Sequence, residues 1–462
     1  MFNPDNQYRC DIIRGKAQKE LDNLLSAYVN IIKEITPSTK DDFNINFNNY
    51  LSRAIYNNDY TDISEANQKT IRNHITEIAG KLFGLYYREN NFIYMSDSAK
   101  KLLEDEDQPA FFKNLCLNFQ FPNGTQAIQT VKERIANKIK FKPFHFIIAL
   151  LNIASQEQII LNKSELGYYV LNSLEVLQGL ISPHEVIETI KHDRENKITK
   201  KLENTSFNTQ HIREQLNLLA LANMIDFDGQ NVILNLSEMK TISFFLSELS
   251  TPLKFDIYKY NLENHDICKL MYSEWEKYFG QLAVENFEIL DTSVESLQRK
   301  ITTPLKMQKG VNYTILGDEG EEYVFELEKA RVGKTHSRLV NKVLLLGKQK
   351  GLGYDIMSVE AQENYEDPEF ARFIEVKATK RATEPSLEDS SWVDSVNLTR
   401  KEWIAAKQHR QAYNLYRVYF TATSTIIRKI NDPYGKSEQG LLSILPTMYR
   451  MDFNSESIDG QY

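Results

Sequence analysis

The sequence predicts a multidomain α plus α/β chain, with a helical N-terminal region, a middle of helices and one hairpin, and a C-terminal mixed sheet flanked by helices. Three observations carry this. Apolar residues recur at helical spacing through Leu21, Leu24, Leu25, Tyr28, Ile31 and Ile32. Two β-prone runs flank Asp228-Gly229, a strong two-residue hairpin signal, directly behind a helical stretch. Finally, GLGYDIMSVE and RFIEVKAT both read as buried strands, yet they carry an aspartate, a glutamate and a lysine that burial makes costly.

At 462 residues the chain exceeds one ordinary core. Its 42% hydrophobic and 26% charged residues are those of a soluble globular protein. No run of about 18 apolar residues occurs, so no membrane partner is expected. The opening MFNPDNQYRCDIIRGKAQKE has no apolar stretch after a basic start, which points to the cytoplasm. Cys10, Cys116 and Cys268 lie far apart without CxxC or His-rich spacing, so they read as buried fillers rather than zinc ligands or a disulfide framework. A net charge of −8 counts against a nucleic-acid partner only if the charge is evenly spread.

The first domain is expected over 1–155. Its first helix runs from Gly15 to about Ile35 and stops at Thr36-Pro37; its second begins after Ser64 and continues through the tyrosines at 86 and 87. Helical patterning extends to about Lys142, broken at Pro109 and at Pro122-Asn123-Gly124. Over 156–250 a helix begins near Lys163, Ser182 caps a second, and a third from about Thr209 to Ala222 buries Ile212, Leu216, Leu219 and Ala220 ahead of the hairpin. That order is the order of a winged helix-turn-helix, which lays its third helix in a DNA major groove. Gln210, Arg213, Glu214 and Asn217 are its expected exposed polar positions, with Lys191, Arg194, Lys197, Lys200 and Lys201 as phosphate contacts. Such modules also join proteins to one another, and Glu214 is unfavourable beside phosphate. A helical linker, 251–307, then leads to a C-terminal domain over 308–462.

There, a helix after Gly317-Asp318 is expected to bury Tyr323, Val324 and Leu327. Residues two apart on a strand share a face, so Glu375 and Lys377 project together while Ile374 and Val376 face the other way. Asp355, on the paired strand, can meet them. Two adjacent carboxylates repel unless a hard dication lies between them, which suits Mg²⁺, with Mn²⁺ as a substitute. With a lysine to orient water or to stabilise developing charge, the set fits phosphodiester hydrolysis. The alternative is a structural ion cluster on a solvated sheet face.

These residues resemble the PD-(D/E)xK nuclease superfamily, in which an acidic residue ending one strand precedes (D/E)-x-K on the next. More closely, GDEGEEYVFELEKARV, GLGYDIMSVE, RFIEVKAT and VNLTRKEWIAAKQHRQAYNLYRVY resemble the C-terminal domain of the plant protein NO VEIN, a module that also occurs in bacterial restriction and defence proteins. The resemblance covers about 309–420 and implies a restriction-endonuclease-like fold. It puts Asp355 and Glu375 at the metal and catalytic positions and Lys377 at the catalytic lysine. It also selects Glu321 as a further helix acid for metal and catalysis, with Glu322 as the neighbouring choice. Tyr354 replaces the superfamily's proline. Thr399 and Glu402 read as a capping box, and Gln408 and His409 follow on the same helix. Lys329, Arg331, Lys334, Arg338, Lys342, Lys348 and Lys350, then Arg400, Lys401, Lys407 and Arg410, surround the motif with the positive charge a polyanionic substrate requires.

The expected function is therefore a Mg²⁺-dependent endodeoxyribonuclease of restriction or phage-defence type, reading double-stranded DNA ahead of its cutting domain. Cutting both strands needs two sites or two nicks, so a homodimer, at least on DNA, is expected; a companion methyltransferase or defence subunits are further partners of this class. No G-x-x-x-x-G-K-[ST] occurs, and nothing here reads a 2′-hydroxyl. The competing reading is a catalytically inert nuclease-like binding or assembly module of a defence complex. Retention of the costly D…E-x-K set favours catalysis.

Overall fold

The computed structural model describes residues 21–200, 206–281, 287–298, 316–347, 352–362, 367–386, 388, 392–445 and 449–461. Helix α1 (Leu25–Ile35) turns Leu25, Tyr28, Ile31 and Ile32 inward, as the spacing of its apolar residues requires. Helices α2 (Gln108–Asn118) and α3 (Pro143–Gln156) are buried on nearly every side. One hydrophobic core joins residues from Leu21 to Leu290 and runs across 155–156 and 250–251, where composition suggested domain limits. The tyrosines at 86 and 87 leave the helical pattern: Tyr86–Glu89 pairs with Phe92–Met95 in a hairpin. Asn90 and Asn91 make its turn, both with positive φ, a conformation asparagine tolerates better than most residues.

Helix α4 (Pro183–Glu195) begins at a capping box of Ser182 and Glu185 with proline in its first turn. Helix α5 (Ser206–Leu221) leads into strands β1 (Ile225–Asp228) and β2 (Asn231–Leu234), and Leu161–Asn162 pairs with the far edge of β2. Ile212, Leu216, Leu219 and Ala220 are buried as expected, but so are Glu214 and Asn217. The cause is packing of α5 against α2, which covers the side a free-standing DNA-reading helix would expose. Asn217 and Glu214 are therefore corrected from surface to core positions. Helix α6 (His265–Gly280) buries Met271, Trp275 and Phe279 in the same core.

The C-terminal part is built on a six-stranded sheet. Helix α7 (Leu316–Thr335) precedes strands β3 (Leu344–Leu345), β4 (Ile356–Val359), β5 (Ala371–Lys380) and β6 (Asp394–Leu398). Helix α8 (Arg400–His409), β7 (Tyr413–Phe420), β8 (Thr425–Asn431) and β9 (Gly460–Gln461) follow. The order is β9-β8-β7-β5-β4-β3, with β5 and β7 parallel and the other pairs antiparallel. Strand β6 pairs instead with Tyr449–Phe453 in a separate sheet. One face of the large sheet packs Val324 of α7 over Ile374, Val376 and Val418; the other packs Trp403 and Ala406 of α8 over Tyr413, Leu415 and Tyr419. Tyr323 does not join this core: it is 41% exposed, one position out of phase with buried Val324.

The two parts meet along the far end of β5. Lys380 N donates to the Glu106 carbonyl at 3.0 Å, and Thr379 Oγ1 donates to the same oxygen at 2.9 Å. Arg417, fully buried on β7, pairs with Glu106 at 2.7 Å and with Asp394 at 2.8 Å. Arg381 pairs with Asp22 at 3.1 Å, and both are buried. Ammonium and guanidinium groups hidden from water require such partners.

Candidate active site

The register of β4 on β5 aligns Ile356 with Ile374, so the next rung sets Asp355 against Glu375. The Asp355 N–H donates to the Ile374 carbonyl at 2.9 Å, and its Oδ2 accepts from Val376 N at 2.8 Å. These bonds hold the aspartate at the end of β4, opposite Glu375 on the neighbouring strand. Gly353 makes the approach feasible. Its φ is +79°, and a side chain there would begin 2.7 Å from the Lys401 carbonyl oxygen. Tyr413 Oη donates to the Gly353 carbonyl at 2.9 Å and fixes that turn.

Glu375 is only 2% exposed, and Lys377 Nζ lies 2.6 Å from its Oε1. The lysine also pairs with Glu402 Oε2 at 3.2 Å. Burial pushes the Glu375 carboxyl well above the ordinary carboxylate range; Lys377 opposes this, and Asp355 and Glu402 add to it. Burial also raises the Asp355 carboxyl, against the Val376 N–H and Lys377, which lower it. For Lys377, burial works against the charge, but Glu375, Glu402 and Asp355 outweigh it and hold the ammonium above its usual range. Lys377 is consequently a cation near neutrality and not a proton acceptor.

Glu402 is the residue that sequence reasoning underused. It completes the capping box with Thr399 and in addition turns the same oxygen to Lys377. The signal was the glutamate of T-x-x-E, whose capping role is a sufficient explanation by itself. Glu321 belongs to α7, which packs on the other face of the sheet, and its carboxylate lies against Gly347, the residue after Leu346, whose N–H donates to the Asp355 carbonyl at 2.6 Å. Glu322 is exposed. Among the described residues no group of three acids, histidines or cysteines closes around one point. His409 stacks on Phe373, ring centroids 3.9 Å apart, instead of reaching the acids.

The basic residues divide into struts and surface charges. Arg331 binds Glu328 and the Val359 and Glu360 carbonyls, and Lys342 binds Glu369. Lys334, in the last turn of α7, and Arg338, just after it, are exposed, whereas Lys348 lies outside the described residues. In the N-terminal part, Arg213 and Lys197 are exposed. Lys200 is tied to Asp193 at 2.8 Å, Arg194 to Glu165 at 2.8 Å, and Lys191 to Glu157 and Glu188. Gln210 lies on α5 with its side chain outside the described set, and Lys201 lies outside the described residues.

Comparison with known proteins separates the two parts in the same way. The family model described as restriction endonuclease BpuJI, N terminal, matches residues 2–276. The chain belongs to that restriction endonuclease family. The model of protein NO VEIN, C-terminal, matches 320–430 and contains Asp355, Glu375, Lys377 and Glu402. Among solved structures, the BpuJ1 endonuclease binding domain in complex with pyrene- and phenanthrene-modified DNA is 45% identical. That match covers 61% of this chain and all of the other, with a TM-score of 0.56. No curated protein matches. Among the described residues no helix is long and apolar enough to cross a membrane.

Proposed function

We propose that the chain is a divalent-cation-dependent endodeoxyribonuclease of restriction type, whose BpuJI-like N-terminal part reads double-stranded DNA and whose C-terminal sheet cuts it. The observation that carries this reading is the Asp355–Glu375–Lys377 cluster around buried Glu375, where two carboxyls share a rung and a lysine is held charged beside them. The 45% identity to a binding domain solved on DNA supports DNA as the ligand of the N-terminal part.

The donor set suits a hard dication such as Mg²⁺. Asp355 and Glu375 would hold it, since they share a rung and burial raises both carboxyls, with Asp355 and Glu402 adding to the rise at Glu375. Such an ion, when bound, polarises the scissile phosphate and acidifies water. Lys377 contributes a fixed positive charge to the pentacovalent phosphate and hydrogen bonds to the attacking water. Glu402 positions that ammonium from the other side. Exposed Lys334 and Arg338 offer phosphate contacts flanking the sheet.

The test is incubation of the full chain with supercoiled plasmid. Nicking or linearisation with Mg²⁺ that stops in EDTA is expected; DNA binding without cleavage under every metal condition would leave only a recognition module.

Two further results are expected. Glu402→Gln keeps a group able to accept from the Thr399 N–H but removes the charge facing Lys377, so cleavage should fall by about tenfold. The basic limb of its pH profile should also shift downward, a change that a cap defect alone would not produce. Secondly, a dication must displace protons that the raised carboxyls retain. Mg²⁺ affinity should then rise with pH, by up to about tenfold per unit for each proton released. Calorimetry in buffers of different ionisation enthalpy measures that release, and a flat affinity over roughly pH 6–8 would contradict it.

A further inference from the structure

Strand β5 sets an aromatic ring, an acid and a base in a row on the face that α8 covers. Residues two apart project together, so Phe373, Glu375 and Lys377 follow one another at steps of roughly 6.6 Å. The ring lies one step from the carboxylates.

Two more rings join it. His409, at the end of α8, has its ring centre 3.9 Å from that of Phe373, and Tyr354, the neighbour of Asp355, has its ring centre 4.7 Å from Phe373 on another side. Tyr354 and His409 are themselves 6.0 Å apart and nearly perpendicular, at 83°. All three keep part of their surface in solvent. The core beneath α8 is closed by buried Trp403, Tyr413, Leu415 and Tyr419, which Tyr354 and Phe373 only border. The apolar surface continues outward. Leu352, in the Gly353 turn, is 38% exposed, and Ile404, between the Lys401 and Ala405 that this turn packs against, is 42% exposed.

Rings left partly wet beside groups suited to a phosphate fit something flat and apolar attached to that phosphate. In DNA that is a base. Both faces of a base inside a duplex are already stacked, so only one that is unpaired or turned out of the helix can use these rings. We propose that Tyr354, Phe373 and His409 form a stacking platform for an unpaired DNA base beside the scissile phosphate, so that the cutting half acts on a locally opened strand. The position of that phosphate rests on the nuclease function proposed above. Every base has a π face, so the platform takes any of them and leaves the reading of sequence to the N-terminal part.

Two measurements on the full chain test this. In the first, a short single-stranded oligonucleotide of thymine and 2-aminopurine is titrated with Ca²⁺ in place of Mg²⁺, and its fluorescence, which stacking on a ring quenches, is followed. Quenching should saturate; His409→Leu and Tyr354→Leu should each weaken binding by about tenfold and diminish the quench, while His409→Phe, which keeps a ring, retains both. In the second, two duplexes identical except for a short mismatched stretch are cut with Mg²⁺. The mismatched one should be cut about tenfold faster, an advantage lost in His409→Leu and kept in His409→Phe. Quenching that is absent, or equal in the parent chain and His409→Leu, overturns the platform even where plasmid is cut, and so does equal cutting of the two duplexes. Ring-dependent quenching by a chain that cuts no DNA would keep the platform and end the nuclease reading instead.

Discussion

Lys377→Ala is expected to abolish plasmid cleavage, with a loss of at least about 10²–10³-fold, while DNA binding stays within a few-fold of the parent chain. The size follows from the environment: the Lys377 side chain, 24% exposed, is the cation against which Glu375 and Glu402 are both set. Its removal takes away transition-state charge stabilisation and leaves two carboxylates facing Asp355. Lys377→Met, which keeps the volume, should be equally inactive, so a packing defect cannot be the cause. Circular dichroism on both variants confirms that they fold, and retention of Mg²⁺-dependent cutting in either would end the catalytic assignment.

The second large effect is on the fold. Arg417→Ala removes the single guanidinium that neutralises Glu106 from the N-terminal part and Asp394 from β6. Stranding the buried Asp394 carboxylate, with Glu106 a quarter exposed beside it, costs about 3–5 kcal/mol. Urea unfolding followed by tryptophan fluorescence reads it, because Trp275 lies in the N-terminal core and Trp392 and Trp403 lie beside the sheet. A change below about 1 kcal/mol would mean that water reaches the network and screens it.

Much of the architecture was legible because it is local. The hairpin, the capping boxes at Ser182 and Thr399 and the alternation of Ile374 to Lys377 depend on neighbours in sequence, and each is found where its pattern put it, except that the hairpin turn falls one residue later, on Gly229-Gln230. The meeting of Asp355 with Glu375 was legible for the same reason, since strand periodicity and one short connection determine it. What was hidden is what distant segments decide. Asn217 and Glu214 looked like surface residues on a helix read alone, but α5 packs against α2, far earlier in sequence, and both are buried. Where the Glu321 carboxylate lies, beside Gly347 on the far edge of the sheet, is likewise set by packing of α7 that helix periodicity cannot reveal. The ties from Glu106 to Arg417 and from Asp22 to Arg381 leave no trace in any local pattern.

Strand β5 carries Glu375 and Lys377 and, two residues further along, grips the N-terminal part through Thr379, Lys380 and Arg381. One rigid ladder thus serves both as cutting edge and as fastening. Grafting this nuclease half onto a foreign reader would demand that the donor's Asp22 and Glu106 be rebuilt in the new host. Successful chimeras should be those that transplant the acids along with the blade.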